Sequence, residues 1–306
     1  MELSLYRTRW GTSGSLADFA SEAQSAGFTG IESPVPTSQH EQSELGSVQN
    51  DLGMPWIAEI ITGGGYVPQR GLSLHDHVED LRVKLRACAS FEPVRVNCIG
   101  GLDAWAHPDV LRFLEAGMDM AKSLGLELCF ETHRSRCLFN PWRCEQVVGE
   151  LPEIRLTADL SHWCVVAERL MDTEMPTIRL IAPNVRHIHA RVGYDQGPQV
   201  PHPAAPEYAE ALASHQRCWE VFWEAQQAAG AISTTMTPEF GPDGYLHQLP
   251  FTQAPVADLW EINRWMAGEE RRHFVQWCNP PVDSRPAGPR NSRQPPRSAG
   301  GCATPA

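Results

Sequence analysis

Short apolar runs alternate with longer segments of helical spacing eight times along the chain, and this alternation restricts the fold more than any other feature of the sequence. Runs at 3–9, 28–33, 55–62, 94–98, 126–131, 154–158, 185–190 and 233–239 read as strands. The segments at about 16–23, 38–52, 73–90, 108–124, 142–151, 164–171, 207–229 and 256–274 read as helices. The punctuation agrees: Gly27, Gly53 and Gly125 follow helices, and Pro108 opens one. Consecutive parallel strands need a crossover rather than a tight hairpin, so eight such units predict an α/β chain folded as a (β/α)8 TIM barrel. A barrel of roughly 250 residues uses most of the 306 available. Residues 1–278 are therefore assigned to the barrel. In 279–306 Arg285, Arg290, Arg293 and Arg297 stand among Pro, Ser and Gly, with almost no large apolar side chains, and this tail is expected to be disordered.

In such a barrel the loops at the carboxyl ends of the strands converge on one mouth, where chemistry collects. The run Thr157-Ala158-Asp159-Leu160-Ser161-His162-Trp163 puts a carboxylate at the end of the sixth strand and an imidazole three residues later. Read alone, Asp159 is equally an N-cap for the helix that follows. Three more strands end alike, the fifth in Glu131, the seventh in His189 and the eighth in Glu239. Each has a plainer reading: an ion pair of Glu131 with His133 or Arg134, or an exposed loop acid at Glu239. His187 is read as a core histidine. Three carboxylates converging without a cation would repel and take up protons, whereas one divalent metal ion compensates them. Three oxygens and one imidazole suit Mn, Mg, Co or Fe with coordination positions left open, and zinc is also admissible. Arg191, two residues past His189 on the same face, either grips a substrate oxygen or forms a salt bridge at the rim. Trp10, Trp105, Trp142 and Trp163 lie near strand ends, where a sugar face can stack, and Trp10 is the candidate retained. Gly63-Gly64-Gly65 lacks the Lys-Ser/Thr of a phosphate-binding loop and is read as a flexible strand-to-helix connection.

Lys+Arg 25 against Asp+Glu 37 gives a net charge of −12, which disfavours a nucleic-acid groove and favours a small-molecule substrate. The nine cysteines form no CxxC pair and their number is odd, so a reducing cytoplasm is expected rather than a disulfide framework. The N-terminal stretch has no basic region followed by an apolar one, and no run approaches ~18 apolar residues, so neither export nor membrane association is expected. Assembly into a homo-oligomer is left open.

Phe130-Glu131, Asp159-Leu160-Ser161-His162, His187-Ile188-His189 and Pro238-Glu239-Phe240-Gly241, in that order, resemble the xylose isomerase-like TIM-barrel superfamily of sugar isomerases, ketose 3-epimerases, inosose dehydratases and endonuclease IV-type enzymes. The resemblance spans roughly residues 1–275. It implies that Glu131, Asp159, His189 and Glu239 bind one divalent metal and that His162 contacts substrate. It further implies that Glu131 and Glu239 remove and return a proton through an enediolate of a sugar, polyol or related hydroxy-carbonyl compound. Two alternatives share those residues: a dehydratase or lyase of a cyclic keto-polyol, and a metal-binding barrel without catalysis. The chain departs from the endonuclease pattern at Gly63-Gly64-Gly65, Cys98 and Tyr194-Asp195-Gln196, where further metal ligands would stand. It departs from the epimerase pattern at Asp195 and Cys137.

Overall fold

The computed structural model describes residues 1–242 and 244–280. Its eight strands are β1 (Glu2–Thr8), β2 (Gly30–Pro34), β3 (Trp56–Ile61), β4 (Arg95–Ile99), β5 (Leu128–Glu131), β6 (Leu156–Ala158), β7 (Val185–His189) and β8 (Ser233–Thr237). Each pairs in parallel with the next, and β8 returns to β1 through Leu5 opposite Met236, closing the barrel. The helices are α1 (Leu16–Ser25), α2 (Gln39–Asp51), α3 (Leu74–Ala89), α4 (His107–Leu124), α5 (Pro141–Glu150), α6 (Leu160–Ala167), α7 (Met175–Ile181), α8 (Ala209–Ala228) and α9 (Leu259–Cys278). The (β/α)8 expectation holds. All but the first two residues of the expected tail lie outside the described residues.

The helices begin where local chemistry satisfies their free N–H groups. Ser38 with Glu41, and Ser73 with Asp76, form reciprocal capping boxes at α2 and α3. Gly125, at φ +69°, ends α4 in the left-handed region. Two boundaries differ from the sequence reading. The helix expected at 164–171 starts earlier, at Leu160, because Asp159 caps it through the Ser161 N–H. A separate helix, α7, follows, because Pro176 stands in its first turn, where the missing N–H is harmless.

Alternate strand residues face outward, and Trp56, Ala58, Ile60, Val96, Cys98 and Phe130 pack in the sheet-to-helix layer with α3 and α4 residues such as Leu81, Leu85 and Phe113. Full burial of each such side chain contributes on the order of 1.5–3 kcal/mol, so this layer carries the hydrophobic stability. The barrel interior is different. Most barrels fill it with branched apolar residues, but here Tyr6, Glu32, Asn97, Glu131, Thr157, His187 and Thr237 are buried on the strands. Groups on strands far apart in sequence hydrogen-bond across it: Glu32 on β2 accepts from Thr237 on β8 and meets His187 and His189 on β7. Buried polar groups are tolerated chiefly when paired, and this network pairs Glu32, His187 and Thr237 with one another.

Candidate metal centre

Glu131 ends β5, Asp159 follows β6, His189 ends β7 and Glu239 lies two residues beyond β8. Strand order thus brings four distant sequence positions to one side of the mouth. One ligand atom from each lies within 4.8 Å of the others, and all four residues are buried. Glu131 Oε2 accepts from Asn97 Nδ2 at 2.6 Å. Asp159 Oδ1 accepts from the Ser161 N–H at 2.9 Å and from the Ser161 hydroxyl at 2.5 Å. The capping role of Asp159 and its place in the cluster are therefore held together.

His189 is oriented from below. Its Nε2 donates to Glu32 Oε1 at 3.0 Å, which leaves Nδ1 facing the carboxylates. Nδ1 lies 3.0 Å from Glu239 Oε2 and 3.6 Å from Glu131 Oε2 but has hydrogen-bond geometry to neither. A buried imidazole nitrogen set among carboxylates at ion-pair distance but off hydrogen-bond geometry, with its other nitrogen tied to a carboxylate, is an arrangement that suits a metal ligand. Burial alone would push Glu32 up and His189 down. Instead His189 and His187 hold Glu32 well below its ordinary range, and Glu239, Glu32 and Glu131 raise His189 well above its own. Burial, partly offset by His189, raises Glu131; burial, partly offset by Arg191, raises Asp159. Without a further cation the cluster therefore takes up protons, and a divalent ion fits it.

Two other groups of residues bring ligand atoms together, and neither suits a metal. In Glu32, His187 and His189 the bonds are already made: His187 Nδ1 meets Thr235 Oγ1 at 2.8 Å, and its Nε2 meets Glu32 at 3.2 Å and Thr237 at 3.1 Å. In Glu131, His133 and His162, the His162 Nε2 lone pair accepts from Arg191 Nη2 at 2.6 Å. Arginine only donates, so the proton of neutral His162 sits on Nδ1, which therefore offers no lone pair. Burial, then His133 and Arg191, push His162 well below its usual pKa and keep it neutral.

Arg191 is buried and binds inside the cluster rather than at the rim. Its Nη2 pairs with Asp159 Oδ2, its Nε donates to Ser161 Oγ at 3.0 Å, and its Nη1 lies 3.6 Å from Glu239 Oε2. Burial would lower the Arg191 pKa, but Asp159 and Glu239 raise it, so it stays charged. Its guanidinium lies 5.5 Å from the centroid of Trp10 and 4.8 Å from that of Tyr245. Trp10 packs against Tyr66 at 5.3 Å and Tyr245 at 4.8 Å. These three rings, from the loops after β1, β3 and β8, cover Glu131, Glu239 and Arg191. The cavity beneath measures about 10 Å³, room for one water at most. A larger groove of about 660 Å³ runs between the loop after β8 and the start of α9, but it contains none of the clustered groups. We place the chemistry at the small cavity, because the buried charges are there.

Gly241 lets Trp10 reach this position, since any Cβ at 241 would be driven into the indole. Gly241→Ala is expected to displace Trp10, with a stability loss of about 1–3 kcal/mol. Thermal melting and the tryptophan emission maximum check this; an unshifted emission maximum with an unchanged melting point would refute it.

No family model matches the sequence, and no curated protein matches it. Solved structures do. An L-ribulose 3-epimerase superposes with a TM-score of 0.63 at 14% identity, covering 91% of this chain and 96% of that one. A xylose isomerase-like TIM barrel protein from Mycobacterium smegmatis, in complex with magnesium, matches at TM-score 0.57 and 14% identity over 85% of this chain and 87% of that one. The fold is a closed parallel (β/α)8 barrel, shared with these structures. A probable 3-DHS dehydratase from Bacillus anthracis shares it at TM-score 0.55 and 11% identity, over 88% and 98% of the two chains.

Several residues of the barrel mouth carry no role that the sequence alone reveals. Glu32 is the one charged residue of β2. Glu59, inward on β3, is pushed up to about 8 by burial and by the charges of Glu239 and Glu32. Asn97, within the strand expected at 94–98, carried no role in the sequence, yet it donates to Glu131. His133 lines the cavity, whereas His162 lies behind it, stacked on His133 with centroids 3.8 Å apart. The Gly63-Gly64-Gly65 loop, expected to be flexible, is tied down: Arg136 donates to the Thr62 and Gly65 carbonyls, and the Gly63 N–H donates to Asp80 at 3.0 Å. Trp105 packs on His77, Trp163 is buried, and Trp142 is exposed on α5; none of them lines the cavity. Among the described residues, every cysteine is a free thiol, and no helix is long and apolar enough to cross a membrane.

Proposed function

We propose that this protein is a divalent-metal-dependent isomerase or epimerase of a sugar, polyol or related hydroxy-carbonyl compound. The observation that carries the reading is His189 Nδ1 set between the Glu131 and Glu239 carboxylates without hydrogen-bond geometry to either. Glu131, Asp159, His189 and Glu239 would hold one ion, with Mn, Mg, Co and Fe the best matches to their oxygen-rich set. When bound, the ion supplies Lewis acidity to a substrate carbonyl and its neighbouring hydroxyl. Fold likeness to sugar epimerases supports this substrate class.

The protein's own groups do the rest. Glu131, fixed by Asn97 and raised above its usual range, takes a proton from the carbon beside the carbonyl, and Glu239 returns one. The proton moves between carbon and a carboxylate oxygen, leaving an enediolate that Arg191 helps to balance. Trp10, Tyr66 and Tyr245 cover the cavity and exclude water. Loss of a β-hydroxyl from the same intermediate would make the protein a dehydratase, which needs an acid at the leaving oxygen. Fold likeness to several sugar epimerases favours isomerisation.

The test is proton exchange. With one equivalent of Mn²⁺ or Mg²⁺ in deuterated water, at least one member of a ketose panel should incorporate deuterium beside its carbonyl by NMR. Release of water with an unsaturated product would point instead to a lyase. Stoichiometric metal with no exchange in any ketose would leave a binding barrel.

Metal affinity should also rise with pH. His189 must lose a proton to bind, and the carboxylates raise its pKa well above the ordinary value. Titrations at pH 6, 7 and 8 should therefore show tightening of about tenfold per unit while that single proton is displaced. A flat profile would remove His189 from the ligand set.

A further inference from the structure

Arg134 lies three residues past Glu131, in the loop from β5 to α5. Its guanidinium makes no hydrogen bond or ion pair among the described residues, and its one marked contact is the ring of Tyr245, 4.9 Å from the centroid. The other arginines around the mouth are committed. Arg191 holds Asp159, Arg136 holds the carbonyls of Thr62 and Gly65, and Arg9 holds those of Gly14 and Ser15. In a chain where 37 acidic residues face 25 Lys and Arg, a cation beside the site without a carboxylate partner is unexpected.

Its placement is specific. Tyr245 lines the cavity and also receives Arg191 at 4.8 Å, so Arg134 stands within one ring of the cluster. His133 also lines the cavity, and the loop 132–140 contains no acidic residue to cancel the charge of Arg134. The next residue, Ser135, has φ +65°, a left-handed conformation uncommon outside glycine, and its carbonyl accepts from the Asp103 N–H at 3.3 Å. The loop is thus held in a conformation that fixes the start of the Arg134 side chain.

We propose that the substrate carries an oxyanion, a carboxylate or a phosphate, that pairs with Arg134 at the rim while its hydroxy-carbonyl end lies at Glu131 and Glu239. The planar guanidinium offers parallel N–H donors that match either group. The proposal rests on the metal-dependent isomerase reading for the reacting end, but not for the anion.

Calorimetry on the Mn²⁺-loaded full chain, with D-fructose, 5-keto-D-gluconate and D-fructose 6-phosphate, tests it without turnover. One of the two anions should bind at least about tenfold more tightly than fructose, the effect of a charge-assisted pair. Which one does so tells carboxylate from phosphate. In Arg134→Gln that anion should fall to the affinity of fructose, and Arg134→Lys should restore part of the difference. Raising salt should shrink the preference of the wild type. Equal binding of all three ligands by the wild type, no binding of any, or equal weakening of all three by Arg134→Gln would overturn the proposal. The isomerase reading fails separately, through absent deuterium exchange, while an Arg134-dependent anion preference can stand.

Discussion

Glu131→Gln is expected to lower deuterium exchange by about 10²–10⁴-fold, the range for loss of a positioned acid or base, and to weaken metal uptake. The amide keeps the shape of the side chain and still meets Asn97, so the barrel should fold. The same variant should change how stability depends on pH in the metal-free protein. Glu131 has a folded pKa raised above its unfolded value, so its contribution is fully present below the unfolded carboxylate pKa and is lost as pH rises through the folded one. His189, also raised, acts in the same direction above its own unfolded value. Metal-free wild type should therefore melt lower at pH 8 than at pH 5, and the Glu131 part of that difference should vanish in Glu131→Gln. Added metal should reverse the trend in wild type. Unchanged exchange together with unchanged metal uptake would remove Glu131 from the site.

Arg191→Met should be the most destabilising single substitution in the centre. It leaves Asp159 buried without its ion pair, and breaking a buried pair from one side costs about 3–5 kcal/mol. For a chain of this size that corresponds to a melting point lower by roughly 10 °C. Asp159→Asn should cost a comparable amount by stranding the guanidinium, and the double variant should cost less than the sum, since the two residues form one unit. Metal should recover more stability in Arg191→Met than in wild type, because the ion then supplies the charge that Asp159 and Glu239 have lost. Strictly additive effects would show that Arg191 and Asp159 do not act together.

Much of this was legible in the sequence because barrel topology is a local property repeated. Each strand and helix announces itself by its own periodicity, and the four clustered residues stand at strand ends, where the pattern breaks. Glu32 was not legible as a site residue, because its role depends on facing His189 across the interior, 157 positions away. Asn97 and Glu59 were hidden for a related reason: they lie within strands, and the alternation does not say which inward polar residue will meet which. The helix α7 was obscured by Pro176, which breaks a helix in its interior but suits its first turn. The loops that carry Trp10, Tyr66, His133 and Tyr245 over the mouth have no periodicity to read.

The Glu32–Thr237 hydrogen bond joins residues 205 positions apart, and this separation dates the centre within the life of the molecule. A chain emerging from the ribosome presents Glu131 and Asp159 while His189 and Glu239 are still unmade, and Glu32 waits for its partners through almost the whole of synthesis. Contacts of such long sequence separation form late and slowly. The four proposed ligands are complete once β8 has docked on β7, which sets Glu239 beside His189. Metal capture would then be a timestamp for the docking of the last strand: in refolding experiments it should rise with the last kinetic phase.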